Sequence, residues 1–77
     1  MEMLLREFVV DGHVISLSEE DGLYIAMAVD GDGEKIFYRE YDDYDKIKEY
    51  FNIIVEEYEN SYINIKRVLD ILEKEDE

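Results

Sequence analysis

Residues 21–33 read Asp-Gly-Leu-Tyr-Ile-Ala-Met-Ala-Val-Asp-Gly-Asp-Gly, a run of seven apolar residues between two Asp-Gly turns. A third Asp-Gly pair occupies residues 11–12. Asp and Gly readily adopt the positive φ angles of tight hairpins, so each pair predicts a turn between antiparallel strands. The sequence therefore predicts a four-stranded antiparallel meander with strands at residues 3–10, 13–18, 23–29 and 35–41.

Strand 23–29 has two different faces, because side chains alternate across a strand. One face carries Leu23, Ile25, Met27 and Val29, and the other carries Tyr24, Ala26 and Ala28. We expect the larger aliphatic set to form the core face and to pack against helices. Tyr24 is then expected on the exposed face, where it is available to a partner protein.

After Tyr41 the apolar period changes from two residues to about 3.6, which predicts a helix. Asp42 and Asp43 suit its start, because carboxylates accept bonds from the first N–H groups and favour the positive end of the helix dipole. The predicted apolar face carries Tyr44, Ile47, Phe51, Ile54, Val55 and Tyr58. The opposite face carries Asp45, Glu49, Asn52, Glu56 and Glu59.

A second helix is expected after Asn60 and Ser61, which can end the first helix and cap the next. Its predicted buried seam is Tyr62, Ile65, Val68, Leu69 and Leu72. One bent helix over residues 43–73 is the alternative, and residues 74–77 are expected to fray. The prediction is an α+β fold, ββββαα, with both helices on one face of the sheet and residues 1–77 in a single domain.

The composition predicts a folded protein that is strongly acidic. The 77 residues include 22 Asp and Glu, 8 Lys and Arg, and no Cys, and the formal net charge is -14. A hydrophobic content of 47% is too high for a disordered acidic tail. The lack of Cys, of a basic leader and of a long apolar run predicts a soluble cytoplasmic protein that does not enter a membrane.

The chain offers little for catalysis or metal binding. His13 follows a turn and is expected to have no catalytic role. The segment Asp30-Gly31-Asp32-Gly33-Glu34 lacks the Gly and Glu positions of a calcium loop and predicts a hairpin turn. Asp42, Asp43 and Asp45 fit a helix start better than a cation site. We therefore predict a protein that is not an enzyme and needs no metal or cofactor.

The acids point instead to a basic partner. Binding nucleic acid directly is disfavoured, because a surface that follows phosphates must be basic. Imitation of nucleic acid fits better, since 14 net charges correspond to roughly 24 Å of duplex DNA at about one charge per 1.7 Å. We predict that the acidic side of the first helix contacts the partner. Ile53 and Ile63, which lie off the main apolar faces of their helices, are candidate apolar anchors, with packing of one of them against the other helix as the alternative.

The segment Tyr38-Arg39-Glu40-Tyr41-Asp42-Asp43-Tyr44-Asp45-Lys46-Ile47 joins the last strand directly to an acid-capped helix. In this arrangement and in its charge, the chain resembles the small acidic inhibitors of phages and mobile elements, especially anti-CRISPR proteins. The resemblance covers architecture and charge over most of the chain and includes no diagnostic motif. It implies a DNA mimic whose partner is a basic nucleic-acid-binding protein such as a CRISPR effector.

The predicted function is that of a non-enzymatic inhibitor or regulator that blocks the nucleic-acid-binding surface of a basic protein. The predicted contact residues are Asp42, Asp43, Asp45, Glu49, Asn52, Glu56, Glu59, Tyr24 and Ile53. The alternative is an acidic interaction module, such as a homodimer joined through the exposed sheet face, whose charge serves solubility.

Overall fold

The computed structural model describes residues 2–61 and 63–73. The elements are β1 (Met3–Val10), β2 (His13–Glu20), β3 (Leu23–Val29), β4 (Lys35–Tyr41), α1 (Tyr44–Glu59) and α2 (Ile65–Glu73). All neighbouring strands are antiparallel, and their order in the sheet is β1-β2-β3-β4. The predicted ββββαα fold is confirmed, with β2 extending two residues beyond the predicted end at residue 18.

The predicted turns form for the expected reason. Asp11 and Asp21 have φ angles of 53° and 55°, and each is followed by a glycine with positive φ. The loop between β3 and β4 is a hairpin connection held by Asp30, whose Oδ1 accepts bonds from the N–H groups of Asp32 and Glu34, both at 2.9 Å. The carboxylate of Asp30 is therefore used to shape the turn.

Both outer strands of the sheet contain a bulge. The pairing of β1 with β2 skips Leu5, and the pairing of β4 with β3 skips Ile36. A bulge bends an edge strand and interrupts its row of backbone groups. Both edges are therefore poor templates for adding a further strand.

The predicted orientation of β3 is wrong. Ala26 and Ala28 are fully buried in the same cluster as Ile47 and Phe51 of α1. Leu23, Ile25, Met27 and Val29 consequently lie on the side of the sheet away from the helices, which we call the open face. The physical reason is that small Ala side chains allow α1 to lie close to the central strands, where a row of larger residues would hold it away.

The core lies between the helices and the covered side of the sheet. Helix α1 contributes Ile47, Phe51 and Ile54, and α2 contributes Val68, Ile71 and Leu72. The sheet contributes Val10, Ile15, Leu17, Ala26, Ala28 and Tyr41. The buried hydroxyl of Tyr41 donates to the carbonyl oxygen of Leu72 at 3.1 Å and so connects β4 with the end of α2.

The start of α1 follows the prediction, whereas the start of α2 does not. Asp43 caps α1, its Oδ1 accepting from the N–H of Asp45 at 3.0 Å. For α2 the side chains of Asn64 and Asp11 supply the cap: Asn64 Oδ1 accepts from the N–H of Arg67 at 2.8 Å, and Asp11 Oδ2 accepts from that of Ile65 at 2.9 Å. Ser61 is not the cap, because α2 begins four residues later.

The remaining predictions for the second helix are partly confirmed. Two separate helices are present rather than one bent helix over residues 43–73, and Val68 and Leu72 are buried. Ile65 and Leu69 are half-buried, while the seam also includes Ile71, which the prediction omitted. Tyr62 and residues 74–77, the segment expected to fray, lie outside the described residues.

The orientation of β3 is tested by placing Leu at one position on each of its two faces. Ala26→Leu is expected to lower the free energy of unfolding by about 2–3 kcal/mol, in the upper range for overpacked cores. Met27→Leu, one residue along and on the open face, is expected to change it by about 0.5 kcal/mol or less. Urea denaturation measures both, and an equal or larger loss at position 27 would contradict the orientation described here.

Candidate partner-binding surfaces

One candidate surface is the outer side of α1. We call it the acidic face, and it comprises Asp45, Glu49, Asn52, Glu56 and Glu59, which are all exposed. They alternate in steps of four and three residues, so they form one row on the side opposite the buried residues of α1. At a rise of about 1.5 Å per residue the row is roughly 21 Å long. The predicted row therefore exists as an exposed line of four carboxylates, interrupted near its middle by the neutral Asn52.

Asp42 and Asp43, also predicted as contact residues, have different roles in the structure. Asp42 is exposed at the entry to α1, whereas Asp43 already holds the N-cap bonds of the helix. Both line an open groove of about 390 Å³ at the junction of β4 and α1, together with the basic residues Arg39 and Lys46. The mixed charge of this groove makes it less suited to a basic partner than the acidic face is.

The apolar candidates on the helices have different surroundings. The Ile53 side chain is 39% exposed beside the acidic face, as its position on the helix predicted. Ile63 is half-buried and packs against the core. Only the first of these two side chains is therefore placed to contact a partner of the acidic face.

Tyr24 is not where the sequence predicted it. The residue is half-buried on the covered side of the sheet, and its ring centroid lies 4.9 Å from that of Tyr44 on α1. The prediction of an exposed Tyr24 is wrong for the same reason as the orientation of β3: this side of the strand receives the helix. Tyr24 supports the start of α1 and is not part of the open face.

Glu57 lies on the side of α1 that faces α2, where it forms a two-point ion pair with Arg67. The Nη2 and Nε atoms of Arg67 donate to the Glu57 carboxylate at 2.7 and 2.9 Å. These hydrogen bonds, with the positive charge of Arg67, lower the pKa of Glu57 below its ordinary value, although partial desolvation opposes the shift. The carboxylate of Glu57 is thus used in an intramolecular ion pair, unlike the carboxylates of the acidic face.

The Glu57–Arg67 ion pair predicts how the stability of the fold depends on pH. Because the pKa of Glu57 is lowered by folding, the stability from the pair is present above its ordinary pKa of 4.5 and is lost as the pH falls through the folded value. Wild type is expected to melt at a higher temperature than Glu57→Gln at pH 7, and the difference should shrink below pH 4.5. Thermal melts from pH 7 to pH 3 test this, and a difference that grows in acid would contradict it.

The second surface is the open face. Beside the β3 residues it carries Val14 of β2 and the more exposed Leu4, Val9 and Tyr38 of the outer strands. No element of the described chain packs over this side of the sheet, where Leu23 is exposed, Met27 and Val29 are half-buried, and Ile25 is buried by its neighbours. The sequence predicted an exposed sheet face but assigned the wrong residues to it, because it placed Leu23, Ile25, Met27 and Val29 in the core.

No metal centre is found in residues 2–61 and 63–73. Their His, Asp and Glu side chains form no group of three that could hold a metal ion. His13 is half-exposed, and its Nδ1 lies 2.8 Å from the carbonyl oxygen of Asp11 in the neighbouring turn. Neither helix within these residues is long and apolar enough to cross a membrane.

Comparison with known proteins gives no relative: the chain matches no family model, no curated protein and no solved structure. Its function is therefore argued from its own surfaces.

Proposed function

We propose that this protein is a non-enzymatic inhibitor or regulator that binds the nucleic-acid-binding surface of a basic protein. The contact is made by the acidic face, which competes with nucleic acid for the same cationic groove. A CRISPR effector is one partner of this kind. The observation that supports the proposal is the row of four carboxylates, Asp45, Glu49, Glu56 and Glu59, exposed along one side of a rigid helix.

The dimensions of the acidic face suit such a groove. Its length of roughly 21 Å equals about six base-pair steps of duplex DNA, at about 3.4 Å per step. Because the helix is fixed to the sheet by Ile47, Phe51 and Ile54, the carboxylates are presented without a large ordering cost on binding. A groove that tracks phosphates over this length can therefore receive α1 in place of a short DNA segment.

Affinity and specificity come from different parts of this surface. The net charge of -14 attracts a cationic partner over a distance and speeds the encounter. Durable binding requires at least one desolvated apolar contact, and Ile53 is placed to supply it next to the carboxylates. Neutral Asn52 interrupts the acidic row near its middle and offers an amide for hydrogen bonding.

The test is affinity capture with the immobilised protein, followed by direct competition. We expect the captured proteins to bind DNA or RNA, to be released by a short DNA duplex, and to dissociate as salt is raised. The purified partner should also lose labelled duplex, measured by fluorescence anisotropy, when this protein is added. Capture limited to partners that duplex DNA does not displace would contradict the proposal.

A second candidate function is an interaction module whose acidity serves solubility alone. The observation in its favour is the open face, with Leu4 at 56% and Val9 at 53% exposure. Sedimentation equilibrium separates the two candidates, since an apolar contact through the sheet persists in high salt and a contact of the acidic face weakens.

A further inference from the structure

The open face combines an apolar centre with acidic surroundings. Leu23, Ile25, Met27 and Val29 form an apolar row along β3, which we call the β3 row; Leu23 is exposed, Met27 and Val29 are half-buried, and Ile25 is buried. On the adjacent strand β2, Ser16 and Ser18 face the same side and are shorter than their neighbours. Both are buried, at 7% and 3% exposure, so the larger side chains of β1 and β3 close over them and form the surface beside the β3 row.

Among the described residues, three carboxylates on the other strands surround the β3 row, against one ammonium group. Glu7 lies opposite Ser16, Glu20 opposite Leu23, and Glu40 opposite Ile25, all on the open face. The hydroxyl of Tyr38 donates to Glu40 Oε2 at 2.9 Å. The pKa of Tyr38 is raised by this bond, by desolvation and by the negative charges of Glu40, Glu20 and Glu2.

The positive group on this side is Lys35, at the opposite end of β4. Its ammonium lies 4.5 Å from the centroid of the Tyr38 ring, and its strand partner is Val29. The open face is thus most acidic towards Glu20 and Glu40 and most apolar towards Val9, Val14 and Val29. A ligand for it needs apolar side chains in the middle and positive charge at its flanks and one end.

We propose that the open face docks an amphipathic helix of a partner protein, lying along the β3 row with its apolar side inward and Lys or Arg at its margins. A seven-residue strand is about 20 Å long, which matches roughly 13 residues of helix. The apolar side chains of such a helix cover the β3 row, and its basic side chains reach Glu7, Glu20 and Glu40. This surface is separate from the acidic face. The open face is the side of the sheet away from the helices, and the acidic face is the outer side of α1.

Other occupants fit the same surface less well. A second copy of this chain would bring two sets of carboxylates together, and their repulsion opposes the contact. An added strand is disfavoured because both sheet edges are interrupted by bulges at Leu5 and Ile36. Phosphate groups of a membrane or nucleic acid are repelled by the surrounding acids. Charge and shape together favour a basic amphipathic helix.

The probe is an 18-residue peptide with Leu at helical positions i, i+3, i+4 and i+7 and Lys elsewhere. Its control is a peptide of the same composition in an order that has no apolar side. Binding is measured by isothermal titration calorimetry at 150 mM salt with the full chain. We expect the amphipathic peptide to bind at least about tenfold more tightly than the control peptide, which corresponds to about 1.4 kcal/mol.

The decisive variant is Met27→Lys, which places a positive charge in the middle of the β3 row. It is expected to weaken binding of the amphipathic peptide by about tenfold or more, with the circular-dichroism spectrum unchanged because Met27 lies outside the core cluster. Glu73→Gln changes the net charge by the same amount on α2 and is expected to bind as wild type does. If Met27→Lys fails to fold, Met27→Ser replaces it, with weaker binding again expected.

Three results would overturn the proposal. The first is equal binding of both peptides, which would show attraction by charge alone. The second is a salt-resistant homodimer, detected by sedimentation equilibrium, that Met27→Lys dissociates, since the occupant would then be a second copy. The third is loss of peptide binding when Asp45, Glu49 and Glu56 are changed to Lys, because the peptide would then be bound by the acidic face.

The same measurements keep this proposal distinct from the proposed function. The shortest extent of the molecule is 21 Å, more than twice the screening length of about 8 Å at 150 mM salt. Charges on the acidic face therefore have little influence on the open face under these conditions. Failure of peptide docking leaves competition with nucleic acid untouched, and failure of that competition leaves peptide docking untouched.

Discussion

Replacing Asp45, Glu49 and Glu56 together by Lys is expected to abolish binding to the basic partner. Close charge pairs across interfaces contribute about 1.5 kcal/mol or more each. The loss of three such pairs costs roughly 4.5 kcal/mol of binding free energy. This raises the dissociation constant by about 1000-fold or more. The fold is expected to persist, because all three side chains are exposed and such substitutions change stability by about 0.5 kcal/mol or less each.

The measurement is displacement of labelled duplex from the partner, with circular dichroism as the check on folding. The matched control is Asp32→Lys, Glu34→Lys and Glu73→Lys, which changes the net charge equally at exposed positions away from the acidic face. If both triple variants lose inhibition to the same extent, the total charge of the protein is responsible. Retained inhibition by the first variant, with a native spectrum, would remove α1 as the contact surface.

Most of the fold could be predicted from local chemistry. The Asp-Gly pairs at residues 11–12 and 21–22 specify two tight turns, and the change of period after Tyr41 specifies a helix. Asp43 was recognisable as a cap because its carboxylate acts within its own helix turn. These features depend on residues close together in the chain, and for this reason their prediction succeeded.

Predicting the orientation of β3 requires the pairing register of β2 with β3, not the pattern of β3 alone. With a two-residue turn at Asp21-Gly22, Glu20 pairs with Leu23, and counting back from the turn places Leu17 opposite Ala26. Strand β2 has an unambiguous core side, because Leu17 alternates with the polar residues Ser16 and Ser18. The register of the hairpin therefore assigns Ala26 to the core, whereas β3 considered alone favours its larger side chains.

The wrong orientation of β3 explains the wrong predictions about the residues on each side of the sheet. Reversing β3 moves Tyr24 under α1 and moves Met27 and its neighbours to the open face, so the exposed sheet face carries larger aliphatic residues than predicted. The cap that Asp11 gives to α2 was beyond prediction for another reason. Its partner, Ile65, lies 54 residues away, and this contact exists only once sheet and helices have packed. The acidic face was predictable because it depends on one helix only.

Replacing Phe51 by Ala is expected to lower the free energy of unfolding by about 3–5 kcal/mol. The side chain is 2% exposed and lies between the helix and the sheet, where its ring meets that of Phe8 edge-on at a centroid distance of 6.4 Å. Truncation of a buried Phe costs about 3–5 kcal/mol. A domain of this size has a total stability of about 4–12 kcal/mol, so the loss removes a large part of it.

Chemical denaturation of this variant and of Asn52→Ala measures the effect. Asn52 is the next residue along α1 but is exposed on the acidic face, so its replacement is expected to change stability by about 0.5 kcal/mol or less. The two neighbours thus separate the roles of α1: Phe51 fixes the helix to the sheet, and the opposite side is left free for a partner. A loss at position 51 no larger than at position 52 would mean that α1 is not held by this core. A detached helix would be free to fray, and the fixed row of carboxylates on which the proposed competition with nucleic acid depends would be lost with it.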